Sequence, residues 1–323
     1  MTSQKVPFQI VVDALLDETR LFPARYNHFF SDISPGQLKL LLDAWPRIPI
    51  ERQRALLEDL EALAEEDTLL TFDDLARALL TDPDPKVRSQ SIRLLWNSED
   101  VKLAMKFLDM LRNDNDANVR AAAATALGGF VYQGEIEAIP EATLHKIENA
   151  LLTSINSGEA ALVRRRALEA LGWSSRPEIP GLIEASYREN NTDWKVSALF
   201  AMGRSNDKHW GKHVLTNLRN RTGAIRLEAI RVSGELALTS ARPVLLDMLA
   251  DEEEVKTHRE IIWSLSQIGG EDIREQLEEL LDREKNAEEA EFIEEALENL
   301  VFAETISGEA EFGIFDFVEN HEE

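Results

Sequence analysis

The sequence predicts an all-α fold, an α-solenoid made by stacking helical hairpins, and three observations predict it. The chain has 323 residues, more than one hydrophobic core ordinarily organises, so it divides into domains or runs on as an array. Leu, Ala and Glu dominate and period-two alternation is scarce, which favours helix almost throughout. A motif recurs along the chain, and a period of this length is the mark of a repeat architecture.

The segment from Asp84-Pro85-Lys86-Val87-Arg88 to Trp96 aligns without gaps to Asp116-Ala117-Asn118-Val119-Arg120 through Gly128. Further copies run Val163 to Gly172, Trp194 to Gly203 and Ile225 to Gly234, and weaker ones end at Gly269 and Leu300. The anchors Val87, Val119, Val163, Trp194 and Ile225 stand 32, 44, 31 and 31 residues apart. Asp84, Asp116, Asn191 and Thr222 each lie three residues before an anchor, where a short polar side chain caps a helix. The anchor, the small residue four later (Ala123, Ala167, Ala198, Ala229) and the residue eight later share one helical face. Gly128, Gly172, Gly203 and Gly234 fall where a left-handed C-terminal cap is expected.

A second amphipathic helix lies between copies, as in Asp100–Leu111, Pro177–Tyr187, Lys208–Leu218, Arg242–Leu249 and Ile273–Leu281. Neither helix buries its apolar face alone, so consecutive pairs stack. This gives an irregular helical N-terminal cap over residues 1–66, about seven repeats over 71–302, and an acidic tail over 303–323. In the cap, Ser34-Pro35 reads as a helix start and Thr71 with Asp74 as a capping box, while Glu51–Leu60 reads as a degenerate first copy. The 44-residue interval holds an insertion around Tyr132 to Pro140, where Gly134 and Pro140 predict a projecting loop.

The chain contains no cysteine, which removes disulfides, thiolate nucleophiles and Cys-based zinc or iron–sulfur sites. Pro7 and Asp13 interrupt the apolar stretch from Val6 to Leu16, and no run is long enough to span a bilayer, so a soluble, cytoplasmic protein is expected. The net charge of −25 opposes general affinity for nucleic acid or anionic lipid. Residues 160–232 nevertheless hold 13 Lys and Arg against 7 Asp and Glu, while residues 233–323 hold 6 against 27, so a basic middle adjoins an acidic flank.

The run Asp-x-x-Val-Arg-x-x-Ala-x-x-x-Leu-Gly, as in Asp116 to Gly128, resembles the HEAT-like repeat associated with phycobilisome bilin lyases. The resemblance implies a right-handed α-solenoid of HEAT-like helical hairpins whose motif-bearing helices line the concave side. Such arrays include scaffolds, bilin-lyase subunits, deoxyhypusine hydroxylases and alkylpurine DNA glycosylases, and a shared fold does not transfer chemistry. The hydroxylase needs His-Glu pairs on several repeats, and the one such pair here is His321-Glu322 in the tail. The glycosylase needs a broadly basic DNA face, and the acidic flanks beside Trp173, Trp194 and Trp210 oppose one.

His209 and His213 have the i, i+4 spacing of helical metal ligands, but no neighbouring acid completes a set in sequence, and two exposed histidines are expected instead. The series Arg88, Arg120, Arg164, Lys195 and Arg226 is a basic stripe, yet Asp84 and Asp116 precede their Arg by four residues, which favours i, i+4 ion pairs. By the implied geometry, Gln90, Arg93, Arg165, Arg166, Glu169, Phe200, Arg204, Glu228 and Arg231 face inward, with Trp173 and Arg204 near one rim. Arginines beside aromatics suit an acidic peptide, and the alternative is a solvated face with tryptophans filling gaps. The tail carries Phe312, Ile314, Phe315 and Phe317; capping of the last repeat is preferred over docking or autoinhibition.

The expectation is a non-catalytic scaffold that binds a protein or acidic peptide, with no catalytic, cofactor or metal residues and no membrane or nucleic-acid partner. Arg165, Arg166, Trp173, Phe200, Arg204 and Arg231 are the candidate contacts. The alternative is an enzyme or enzyme subunit of the bilin-lyase-like class.

Overall fold

The computed structural model describes residues 6–313, which divide into two compact units, one ending at Ser174 and the other beginning at Ser175. Among the described residues every regular element is helical, and the fold is an all-α array of helical hairpins.

The first unit opens with α1 (Phe8–Leu16), a 3-10 stretch (Ala24–Phe30), α2 (Pro35–Ala44), a 3-10 turn (Trp45–Arg47) and α3 (Ile50–Glu66). Three helix pairs follow: α4 (Asp73–Leu79) with α5 (Pro85–Leu94), α6 (Val101–Asn113) with α7 (Ala117–Glu135), and α8 (Glu141–Asn156) with α9 (Ala161–Leu171). The motif helices α5, α7 and α9 pack side by side behind α3, and α4, α6 and α8 form the second layer. Val87, Ser91, Val119, Ala123, Leu127, Val163, Ala167 and Leu171 are fully buried, so the face read from the anchor spacing is the core. Each large aliphatic side chain taken from water there contributes about 1.5–3 kcal/mol.

The second unit has four pairs: α10 (Ile179–Tyr187) with α11 (Thr192–Arg204), α12 (Gly211–Asn217) with α13 (Gly223–Glu235), α14 (Arg242–Asp251) with α15 (Val255–Ile268), and α16 (Glu271–Arg283) with α17 (Ala287–Gly313). Here α11, α13, α15 and α17 form the motif layer. Ile314, Phe315 and Phe317 of the tail lie outside the described residues, as does the side chain of Phe312.

Asp84, Asp116 and Asn191 accept first-turn amides, and Ser34 forms a full capping box with Gln37. Thr222 makes no such bond. Nor does Thr71 cap α4: its hydroxyl meets Asp73, while its backbone pairs with Ser31 and Asp32 across the cap.

The glycines correct the expectation of left-handed caps. Gly128 and Gly134 are inside α7, Gly203 and Gly234 are inside α11 and α13, and Gly172 has right-handed φ and ψ. After three of the helices a left-handed residue comes three positions beyond a helical glycine, at Glu137 (φ 60°), Asn206 (φ 49°) and Ala237 (φ 46°), each donating its amide to that glycine's carbonyl, whereas Gly269 itself has positive φ (73°) after Ile268. The glycines serve close approach instead. A Cβ on Gly234 would sit 2.8 Å from the Ser264 Cα on α15, and one on Gly203 would strike the Glu235 carboxylate.

The insertion also departs from expectation. It lengthens the helices, giving α7 19 residues and α8 16, in place of a long loop. With Leu144 packed against Gly134, the extra turns keep an apolar seam between the two helices.

The basic stripe pairs along the array, not within each helix. Arg54 binds Asp84, Arg88 binds Asp114 through two hydrogen bonds of 2.8 Å each, and Arg120 binds Glu159. In the second unit Arg259 binds Glu288 and Glu289. Asp84 does not serve Arg88, because it already caps its own helix and receives Arg54 of the preceding one. Arg88, Arg120, Arg164 and Arg226 also donate to carbonyls of the preceding loop or helix end, at Asp82, Asp114, Ile155 and Asn220. Lys195 instead lies over the Tyr187 ring, 5.1 Å from its centre.

Electrostatics follow from this ladder. Hydrogen bonds from the Arg54 guanidinium hold the Asp84 carboxyl below its usual range, and Arg120 does the same for Glu159. Burial works against the Asp114 carboxylate, yet its bonds to Arg88 and the Asp116 amide keep its pKa lowered.

Candidate functional site

The sequence candidates separate between the units. Arg165, Arg166 and Trp173 belong to the first, where Arg166 pairs with a buried Glu169 at 2.5 Å and the Trp173 ring lies 4.8 Å from that of Tyr132. Arg165 is half-buried on α9. Gln90 is not a surface residue: it is fully buried and donates to the Arg54 carbonyl. Glu169 is likewise buried, and Arg93 is engaged by Glu61.

In the second unit Phe200, Arg204, Glu228 and Arg231 come together. Phe200 and Arg204 are one turn apart on α11, and Glu228, Arg231 and Glu235 share a face of α13 by their spacing of three, four and seven. Tight contact between α11 and α13, permitted by Gly203, then lays both guanidiniums over the Phe200 ring, at 4.3 Å for Arg204 and 4.5 Å for Arg231. Each such contact is worth about 0.5–2 kcal/mol, more as water is excluded.

Arg231 is also flanked by Glu228 and Glu235, which reach it from one turn before and one turn after. Because the Glu235 Oε2 tucks against α11, it is buried without a hydrogen-bond partner, and burial pushes this carboxyl's pKa up. Glu260 of α15 is raised for the same reason, with the nearby Glu228 and Glu235 charges adding to it. Two arginines thus share the patch with three glutamates, so the surplus positive charge expected for an acidic peptide is absent. Sequence reasoning missed Glu235 and Glu260, although the Glu228–Glu235 spacing of seven was a signal for the former.

A related arrangement occurs farther along the motif layer, where Arg259 lies 5.4 Å from the Phe292 ring centre and Trp263 packs on the same ring. Both histidines are partnered, and of the expected pair of exposed side chains His209 is exposed while His213 is not. His209 meets Asp207 and stacks on the buried Trp210, and the half-buried His213 meets Glu184 at 3.1 Å and the edge of Tyr187. Among the described residues no group of three His, Asp or Glu side chains is placed to hold a metal, and no helix is long and apolar enough to cross a membrane.

No protein of curated function matches the chain. Among solved structures, the Escherichia coli YibA protein is 19% identical, with 88% of this chain and 99% of that one covered and a TM-score of 0.43. Yeast importin-beta (Kap95p) is 13% identical over 99% of this chain and 46% of that one, with a TM-score of 0.40. Human deoxyhypusine hydroxylase is 15% identical over 81% and 95%, with a TM-score of 0.35. The family model of HEAT repeats matches residues 72–143, 106–203 and 212–298. These matches fall on the same stretches in which the motif helices stack, and they span well over half of the residues; the chain belongs to the HEAT-repeat family.

Proposed function

We propose that the chain is a non-catalytic scaffold that binds a protein partner through its motif-bearing helices, in the cytoplasm. Phe200, Arg204 and Arg231 in the second unit and Arg165, Arg166 and Trp173 in the first are the contacts. The repeats are taken to be of the phycobilisome-lyase type on the strength of the motif at Asp116 to Gly128.

The observation that carries this reading is the half-buried Phe200 ring with two guanidiniums over it. Aromatic and arginine side chains dominate protein interfaces because they bring large contact area, and side chains already fixed by stacking lose little further freedom on binding. The flanking glutamates fix the Arg231 guanidinium and make the patch selective for a partner with both donors and acceptors. An acidic peptide alone fits it less well than a folded surface of mixed charge.

Affinity purification from the native host tests the proposal. Proteins recovered with the wild-type chain should be lost from Phe200→Ala and from Arg165→Glu, with the helical circular-dichroism signal of each variant retained. Recovery of the same proteins by all three chains would remove it, and a visible absorbance change on adding a tetrapyrrole would favour the bilin-lyase alternative.

A further inference from the structure

A second surface lies in the first unit, around a residue that the repeat alignment treats only as the end of a copy. Trp96 follows α5 and is 61% exposed. On one side of it is a concavity of about 360 Å³ between α3, α5 and α7, with Ile92, Ala122 and Ala126 in its walls. On the other is a concavity of about 370 Å³ backed by Leu70 and Phe72. Both include Ala64 and Leu94, so the indole stands on a ridge between them. Each lies at the lower end of the roughly 300–1,000 Å³ typical of binding pockets.

The charges around the ridge have one sign in excess. Glu61 and Glu65 border the first concavity, and Asp73 and Glu99 border the second. Arg93 is taken by Glu61, and Arg77 by Asp73 and Asp100. Glu65 and Glu99 meet no cation among the described residues, and both are exposed or nearly so.

We propose that the Trp96 ridge docks an extended segment of a partner protein that carries an apolar side chain next to a lysine or arginine. The apolar group enters the concavity over Ile92 and Ala126, and the cation lies across the indole face toward Glu65 or Glu99. An exposed tryptophan supplies both halves of this recognition, apolar area and a ring face that attracts cations. The carboxylates supply the charge complement and steer the encounter. This surface is separate from the Phe200 patch and does not depend on it.

A displayed library of random dodecapeptides, selected on the immobilised full chain, tests the proposal. Enriched peptides should combine Leu, Met or Phe with adjacent Lys or Arg. Measured by fluorescence anisotropy, their affinity should fall about 30-fold with Trp96→Ala, as for an interface hot spot. Glu65→Lys/Glu99→Lys should lower it about tenfold and flatten its salt dependence. Thr125→Arg, which places a charged side chain in the first concavity, should block binding while Phe200→Ala leaves it intact. Absence of enrichment, enrichment of acidic peptides, or binding unaffected by both Trp96→Ala and Thr125→Arg would overturn it.

Discussion

Replacing Arg88 by Ala should destabilise the first unit by about 3 kcal/mol, several times what an exposed helical ion pair provides. The guanidinium makes two bonds of 2.8 Å to Asp114, one of 2.8 Å to the Asp82 carbonyl and one of 3.1 Å to that of Pro83. Its side chain is 15% exposed and that of Asp114 10%. Removing one partner of a pair this well covered leaves an uncompensated carboxylate, for which losses of about 3–5 kcal/mol are typical when burial is complete. Asp114 keeps the Asp116 amide as a donor, which places the expectation at the lower end. An exposed i, i+4 pair with Asp84 would instead be worth about 0.5 kcal/mol. Urea unfolding followed by circular dichroism measures the loss, and double-mutant cycles apportion it. The Arg88–Asp114 coupling should exceed about 1 kcal/mol and the Arg88–Asp84 coupling should be near zero. A loss under about 1 kcal/mol, or the larger coupling falling on Asp84, would refute the inter-repeat ladder.

Gly234→Ala should cost about 2 kcal/mol in spite of the better helix propensity of Ala, because the new Cβ meets the backbone of α15 at Ser264, and thermal unfolding will show it. Stability should vary with pH in two opposite phases. Glu235 and Glu260 have raised values, so on acidification from neutrality the native state takes up protons first; stability should rise until the ordinary carboxylate range is reached, and Glu235→Gln/Glu260→Gln should abolish the rise. Asp84, Asp114 and Glu159 have lowered values, so their contribution is present above the ordinary carboxylate range and is lost as pH falls through their folded values. Denaturant midpoints from pH 7 to pH 3 test both phases, and a monotonic profile would contradict the assignment.

Much of the fold could be read from the residues because the signals are local. Val87, Val119 and Val163 recur with a small residue four later, and that spacing alone puts them on one face of a helix. Asp84, Asp116 and Asn191 cap because a short acceptor at that position lies within reach of its own first-turn amides. The candidate site was half legible: Phe200 with Arg204 and Glu228 with Arg231 are each within one turn, whereas their meeting depends on how α11 and α13 approach. Trp96 gave no signal as a site, since the concavity beside it is completed by Ala122 and Ala126 of a helix that begins more than twenty residues later.

By itself, then, the sequence determined the helices, their starts, their buried faces and the need for stacking, all consequences of a 3.6-residue period acting over one or two turns. The tertiary structure decided which carboxylate each arginine meets, why the glycines are required, and that Gln90 and Glu169 are interior. Those outcomes join residues of neighbouring helices whose offset is set by side-chain packing between them, and no spacing within a single helix encodes that offset.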